Sequence, residues 1–175
     1  MIELRLARFP DDAAAIAAVD RSFRTDIVLA PIPTASGVEF TTVDERLTKT
    51  FPLDDLDAAD RPWSKAWVVL KNGTVRAFAA VGYQAWNSRL VLWHLYVDTP
   101  HRGQGLAKRL VEAVVDYGRQ IGAAHVWLET SNQNVPGMEA YRAMGFEMTG
   151  FDLTLYDGTP AEGEFALFFS MPVAD

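Results

Sequence analysis

At 175 residues, with 49% hydrophobic, 11% aromatic and 22% charged side chains, the chain suits one domain with a full core and is too apolar for disorder. It has no cysteine, which excludes disulfides, thiolate–zinc sites and cysteine nucleophiles. The net charge of -7 is uneven: residues 1–60 hold 12 acids and 6 bases, residues 61–146 hold 5 acids and 10 bases, and residues 147–175 hold 6 acids and no base.

A basic middle between acidic flanks suits an anion held centrally and a cation approached from the sides. Acidic ends that only solubilise the chain explain the same pattern. No basic patch with interleaved aromatics occurs, so nucleic acid is not an expected partner. No apolar run approaches the ~18 residues of a membrane span. The start, "MIELRLARFPDD", lacks the apolar core of a signal sequence. No membrane partner and a cytoplasmic location are the default expectations.

In chain order, "IELRLARF" alternates apolar and polar residues and predicts a strand. "PDDAAAIAAVDRSF" predicts an alanine-rich helix with Pro10 at its start. Residues 24–33 have no regular pattern. "GVEFTTVDERL" predicts a strand, and "PLDDLDAADRP" an acidic, mobile loop. "KAWVVLKNGTVRAFAAVGYQAW" predicts a hairpin turned at Asn72-Gly73. Gly82 marks either a bulge or the close approach of another molecule. "RLVLWHLYV" is the next strand. A helix through Ile121 buries Leu106, Leu110, Val114, Tyr117 and Ile121, and Gly122 stops it. "AHVWLET" predicts a strand, "NVPGMEAYRAMG" a short helix, and "FEMTGFDLTLYDG" and "EFALFFSMPV" the closing strands. The whole reads as a single mixed α/β domain over 1–175, with an antiparallel first half and a central βαβ unit.

The stretch "VDTPHRGQGLAKRL", residues 97–110, joins a strand to a helix through Arg102 and two glycines. A helix start exposes unpaired N–H groups and the positive end of its dipole, and glycine lets a phosphate approach the backbone. Arg102 and Lys108 add charge, so a pyrophosphate site is expected; a start that needs glycine only to turn is the alternative. Gly-Lys-Ser/Thr is missing, so it is no Walker loop. Lys108 stands where a dinucleotide fingerprint needs its third glycine.

Val97 followed by Arg102-Gly103-x-Gly105-Leu106-Ala107 resembles the acyl-CoA-binding motif of the GCN5-related N-acetyltransferases. Asn134 and "AYRAMGF" at 140–146 resemble that family's last helix. "LTKTFP", "AWN", "WLETSNQNVP", "GFDLTLYDG" and "LFFSMP" resemble its streptothricin (nourseothricin) acetyltransferase branch. The resemblance implies the α/β (α+β) fold of that family, a mixed, mostly antiparallel sheet with splayed parallel strands and flanking helices. It implies acetyl-CoA as cofactor, no metal, and acetylation of a small cationic amine, the β-lysine part of a streptothricin antibiotic. The protein is then a monomer or homodimer.

By the same resemblance, Arg102, Gly103, Gln104, Gly105, Leu106 and Ala107 hold the pyrophosphate. The pantetheine lies between the strand ending at Val97 and the one beginning near His125. A backbone N–H among Leu95, Tyr96 and Val97 polarises the acetyl carbonyl, and Asn134 contacts the cofactor arm. Tyr141 matches the tyrosine that protonates the departing thiolate; its other reading is core packing beside Met138 and Met144. Glu129 and Asp152 each either accept the amine proton or bind the ammonium, with the base expected at Glu129. Trp86 and Asn87 are expected at the substrate, and Tyr83, Trp86 and Tyr156 are either cation–π walls or core. His94 reads as a satisfied core histidine. His94, His101 and His125 have no metal-ligand spacing. Acetylation of another amine, such as a polyamine or a protein lysine, and a non-catalytic acyl-CoA sensor are the alternatives.

Overall fold

The computed structural model describes residues 1–173. Along them run β1 (Ile2–Leu6), α1 (Ala13–Ala17), β2 (Ser22–Thr34), β3 (Gly37–Thr50), β4 (Lys65–Lys71), β5 (Thr74–Gln84), β6 (Arg89–Val97), α2 (Leu106–Ile121), β7 (His125–Ser131), α3 (Val135–Ala143), β8 (Glu147–Asp152) and β9 (Ala166–Pro172). They form two compact units. The first comprises residues 1–22, 50–128 and the stretch that starts at Met171, and the second comprises residues 23–49 and 129–170.

In the first unit the strand order is β1-β4-β5-β6-β7. The first three pairs are antiparallel, and β6 with β7 is parallel. The sequence dictates this locally. Asn72 and Gly73 take positive φ of 54° and 79°, as a two-residue hairpin turn requires, and close β4 on β5. The apolar runs "AWVVL" and "AFAAVG" then lie covered on both faces. On one face Ala66, Val68, Phe78 and Ala80 pack with Ile16, Val19, Leu56 and Trp63. On the other, Trp67 meets Tyr117 of α2 edge-on at 5.7 Å, and a Cβ at Gly118 would touch Leu90 and Val173. Strands buried on two sides read as continuous apolar runs, which is the pattern here.

α2 buries Leu106, Leu110, Val111, Val114 and Gly118 and ends at Gly122 in the left-handed region, with φ of 72°. Tyr117 and Ile121, predicted for the same stripe, are half-buried instead. The second unit carries the order β7-β9-β8, with β8 and β9 antiparallel, and a separate two-stranded ribbon of β2 and β3.

Three expectations are corrected. The helix predicted from Pro10 is only the five residues of α1. Residues 24–33, read as irregular, belong to the long strand β2. Pro31 and Pro33 disguise it, but a two-stranded ribbon is all edge, and alternate prolines can keep their missing N–H groups on one outer side. The loop at 52–62, read as mobile, is packed down. Leu56 and Trp63 are buried, Arg61 donates to the Leu56 carbonyl at 2.8 Å, and its guanidinium lies 4.0 Å over the Trp63 ring.

Gly82 explains how that loop is seated. A Cβ there would sit 2.2 Å from the Pro62 carbonyl oxygen, so the close approach read from the sequence is made by the chain itself. Gly82→Ala should destabilise the protein by about 1–3 kcal/mol through overpacking, read as a lowered midpoint in denaturant unfolding. An unchanged midpoint would mean that the loop is not held there.

Candidate active site

The segment after β6 is built to hold its shape. Buried Asp98 accepts from Arg76 at 2.8 Å and from the Asp20 backbone N–H at 3.2 Å, which anchors the turn leaving the strand. Arg102 then donates to the carbonyls of Val97 at 3.1 Å and Ser22 at 2.7 Å. Its guanidinium is engaged in fastening the loop, a role that the motif alone did not convey. Gln104 accepts from Lys71 at 2.7 Å, which ties the loop to the β4–β5 hairpin.

Gly103 and Gly105 have φ of 71° and 76°, and a Cβ on either would meet nothing within 4 Å. A concave backbone with open space before it therefore leads into α2. Gly105 is the N-cap of α2 and supplies no side-chain cap, so the first-turn N–H groups have no such partner. Leu106 is buried, Ala107 half-buried, and Lys108 exposed beside them. These residues fit the pyrophosphate of a CoA thioester: backbone donors, a helix dipole and room for phosphate oxygens.

β6 meets β7 only briefly. Among the described residues their pairing runs from Arg89↔His125 to Val91↔Trp127 and then stops, while β6 continues to Val97. On its other side β6 stays paired with β5, but the register skips: Val81 faces Leu92 and Ala80 faces His94. Trp93 is the extra residue of a bulge, which twists the strand just where it parts from β7. Leu95, Tyr96 and Val97 pair with Ala79, Phe78 and Ala77 of β5.

His94 follows the bulge, and its setting differs from that of a core histidine packed among apolar groups. Its Nε2 lies 2.8 Å and 2.9 Å from the two Asp55 carboxylate oxygens, and its Nδ1 lies 3.3 Å from the Tyr96 hydroxyl. Trp63 Nε1 donates to Asp55 at 2.7 Å. Phe78 stacks on the imidazole, with ring centroids 6.0 Å apart. Burial pushes His94 below the ordinary imidazole value, against the pull of Asp55. Burial opposes ionisation of Asp55 as well, yet hydrogen bonds from His94 and Trp63 hold it below the usual carboxylate range. The pair is therefore a neutral imidazole on a carboxylate. Pro52, Asp54, Asp55, Ala58 and His94 line an open pocket of about 340 Å³.

Trp86 and Asn87, expected at the substrate, share one turn. They lie in the turn before β6, at the opposite end of that strand from Val97. Nine residues of strand, on the order of 25–30 Å, separate the two ends. Trp86 is 85% exposed. Asn87 accepts from the Arg89 backbone N–H at 3.2 Å, so its amide shapes the turn.

In the second unit, Asn134 caps α3. It accepts from the Gly137 backbone N–H at 3.1 Å and donates to Thr130 at 2.9 Å. Gly137 is obligatory here, because a Cβ would fall 2.2 Å from the Asn134 amide. The Tyr141 ring packs against Phe146 and Phe169, with centroids 6.0 Å and 5.9 Å away. Burial pushes its phenol up to about 12, although hydrogen bonding with Thr130 and Asn134 works the other way. Glu129 is exposed and accepts from the Tyr156 hydroxyl at 3.0 Å. Desolvation raises its pKa and the charge of Asp152 adds to the rise, against the Tyr156 hydrogen bond. Asp152 accepts from the backbone N–H and hydroxyl of Thr154 at 2.8 Å and 2.9 Å, which keep it ionised. Tyr156 thus belongs with Glu129, while Tyr83 is 40% exposed on β5.

Sequence reasoning missed Asp55, the partner that satisfies His94. Sequence spacing carries no sign of the pair, since its members lie 39 residues apart. It also missed Glu164, on which Lys49 and Ser131 converge within the second unit. The one available hint was an aspartate-rich loop bounded by two prolines.

Comparison with known proteins agrees with this geometry. The sequence profile described as "Acetyltransferase (GNAT) family" matches residues 35–146. The chain is 41% identical to a streptothricin acetyltransferase of Streptomyces lavendulae, over 97% of this chain and 94% of that protein. A crystal structure of nourseothricin acetyltransferase superposes with a TM-score of 0.88 at 39% identity, covering 99% of each chain. A putative streptothricin acetyltransferase from Bacillus anthracis, solved in complex with acetyl coenzyme A, has the same fold, with a TM-score of 0.82 at 22% identity over 98% of this chain and 99% of that one. A strand that parts from its neighbour beside a glycine-turned helix start, together with these matches, places the chain in the GCN5-related N-acetyltransferase family.

Proposed function

We propose that the protein transfers the acetyl group of acetyl-CoA to an amine of a small cationic substrate, the β-lysine part of a streptothricin. The observation that carries this reading is the near full-length similarity to the Streptomyces lavendulae streptothricin acetyltransferase, at 41% identity. The loop at 102–107 supports the cofactor, and the acidic composition of the chain's two ends supports a cationic acceptor. A cytoplasmic location fits a cofactor made and kept inside cells.

Bound acetyl-CoA supplies an activated acyl group on a thiol leaving group. The backbone N–H groups of residues 103–107 bind its pyrophosphate, with Lys108 adding charge. A backbone N–H among Leu95, Tyr96 and Val97 polarises the acetyl carbonyl. Asn134 holds the start of α3 and keeps Thr130 beside the Tyr141 hydroxyl. Tyr141 protonates the departing thiolate. Burial raises its pKa, which makes donation harder, so the transfer depends on the hydroxyl being held at the sulfur. Glu129, expected from the sequence as the base, is here joined with Asp152 in binding the ammonium: desolvation chiefly, and the Asp152 charge in addition, raise the Glu129 pKa, and a cation between the two carboxylates relieves the repulsion.

Incubating the protein with acetyl-CoA and streptothricin, with thiol release followed, tests the reading. Release with spermidine or a lysine peptide but not with streptothricin would replace the substrate.

Three outcomes are expected from variants. Gly105→Glu should leave a folded domain but abolish CoA binding in calorimetry, because its carboxylate fills the open space before the loop; unchanged affinity would move the phosphate elsewhere. Tyr141→Phe retains the ring packing and should lower kcat by about 100-fold or more, with the KM for acetyl-CoA little changed. Activity within a few-fold of wild type would make Tyr141 a packing residue. Asp152→Asn should raise the KM for the cationic substrate several-fold at constant kcat, an effect weakened by salt. A KM that does not move would leave the acidic C-terminal segment with a solubility role only.

A further inference from the structure

We propose that Asp55, His94 and Tyr96 form a proton relay that draws the proton off the acceptor amine as it is acetylated. The inference rests on the acetyltransferase reading above and adds to it the group that accepts the proton.

The arrangement is directional. Ionised Asp55 can only accept hydrogen bonds, and it faces His94 Nε2 at 2.8–2.9 Å. The imidazole proton therefore sits on Nε2, and Nδ1 is the basic nitrogen. The Tyr96 hydroxyl stands in front of Nδ1 at 3.3 Å. His94 and Tyr96 are alternate residues on one face of β6, beyond the bulge, on the stretch that has left β7. Asp55 is fixed from behind by Trp63, and the loop carrying both is seated by the Pro62 carbonyl against Gly82. The open pocket of Pro52, Asp54, Asp55, Ala58 and His94 gives solute access to the pair.

A purely packing role does not call for this chemistry. Placing a carboxylate and an imidazole beside the cluster of Ile16, Leu56, Trp63 and Phe78 costs desolvation that apolar side chains of the same size would avoid.

The proton count closes. The amine nitrogen bonds to the acetyl carbonyl carbon, and the carbon–sulfur bond breaks. The nitrogen's surplus proton passes to the Tyr96 oxygen as the Tyr96 hydroxyl proton passes to His94 Nδ1, which leaves an imidazolium on the Asp55 carboxylate. The thiolate takes its proton from Tyr141, and exchange with solvent restores both groups. A nitrogen already bonded to the carbonyl carbon is far more acidic than a free alkylammonium near ~10.4, so a weakly basic imidazole suffices. The titratable and charged groups that face His94 are Asp54 and Asp55 from the 51–64 segment, Arg21 from the turn after α1, and Tyr96 from its own strand; Arg21 and burial oppose the imidazolium and Asp55 favours it.

The test is the pH dependence of kcat with saturating acetyl-CoA and whichever amine of a panel of streptothricin, spermidine and lysine is turned over. The wild type should show an acidic limb on the acid side of the ordinary imidazole value, since burial lowers the His94 pKa and the limb marks where His94 gains a proton. His94→Asn and Tyr96→Phe should lower kcat about 100-fold or more and abolish that limb, with CoA affinity within a few-fold of wild type by calorimetry. Asp55→Asn, a positioning change, should move the limb to lower pH, because the carboxylate that raises the imidazole pKa is gone. Glu129→Gln should retain the limb and raise the KM for the amine.

If His94→Asn fails to bind CoA, nitrogen-edge NMR of the wild type decides: at pH 7 the proton must be on Nε2, and the opposite tautomer overturns the relay. His94→Asn with an intact limb and kcat within a few-fold overturns it too. So does loss of the limb in Glu129→Gln with its retention in His94→Asn. Turnover of spermidine or lysine but not streptothricin overturns only the substrate reading. Turnover of no amine overturns both.

Discussion

Among the described residues the pairs of β6 with β7 end at Val91 and Trp127, while β6 runs on beside β5. A buried backbone group left without a hydrogen bond costs about 1–3 kcal/mol, so such an edge persists only where something else will meet it. The bulge at Trp93 creates the condition, because one extra residue turns the strand and breaks the regular register. The consequences run in both directions along the chain. Toward the C-terminus, the strand delivers its end to the Asp98 turn and the two left-handed glycines before α2. Within the strand, it places His94 and Tyr96 on the face covered by the 51–64 segment. A regular β6 paired along its length would offer neither a slot for an amide-bearing cofactor arm nor a reason for polar groups beside it.

The 51–64 segment is the counterpart of that strand. It has no strand or helix of its own, and its order comes from single contacts: Trp63 in the core, Arg61 over Trp63, and a carbonyl pressed onto the one residue of β5 without a side chain. Each is a short-range fit that fails steeply with distance. The carboxylate of Asp55 is therefore placed by packing, and its chemistry follows from where the packing holds it.

How much of this was legible in the sequence depended on whether the physical cause was local. The hairpin at Asn72-Gly73, the stop at Gly122 and the glycine turn into α2 are fixed by residues within a few positions, and each was read correctly; Asn134, expected at the cofactor arm, was not read as the cap of α3 that it forms. The relation of β4 and β5 to a core on both faces followed from their unbroken apolar runs. β2 was misread because two prolines in its thirteen residues mimic a loop, and pairing with β3 alone makes them tolerable. The acidic loop was misread because aspartates signal solvent exposure unless a distant donor waits for one of them. A family likeness names Trp86 and Asn87 but does not tell at which end of the strand they lie. His94 was read as satisfied, but its partner Asp55 was hidden, because a pair brought together across 39 residues leaves no trace in spacing.

The loop between β6 and α2 is fastened from three directions, by Arg102 on the Val97 and Ser22 carbonyls, by Asp98 on Arg76, and by Gln104 on Lys71. Glycine is the residue with most freedom to lose, so a loop that contains two would ordinarily be the costliest part of a binding site to order. Here that ordering is completed during folding, before any phosphate arrives. Binding then meets a preorganised backbone and keeps most of its favourable free energy as affinity. On the proposed reading, Arg102 acts through entropy as well as charge: it readies the amides and also brings a positive group to the loop.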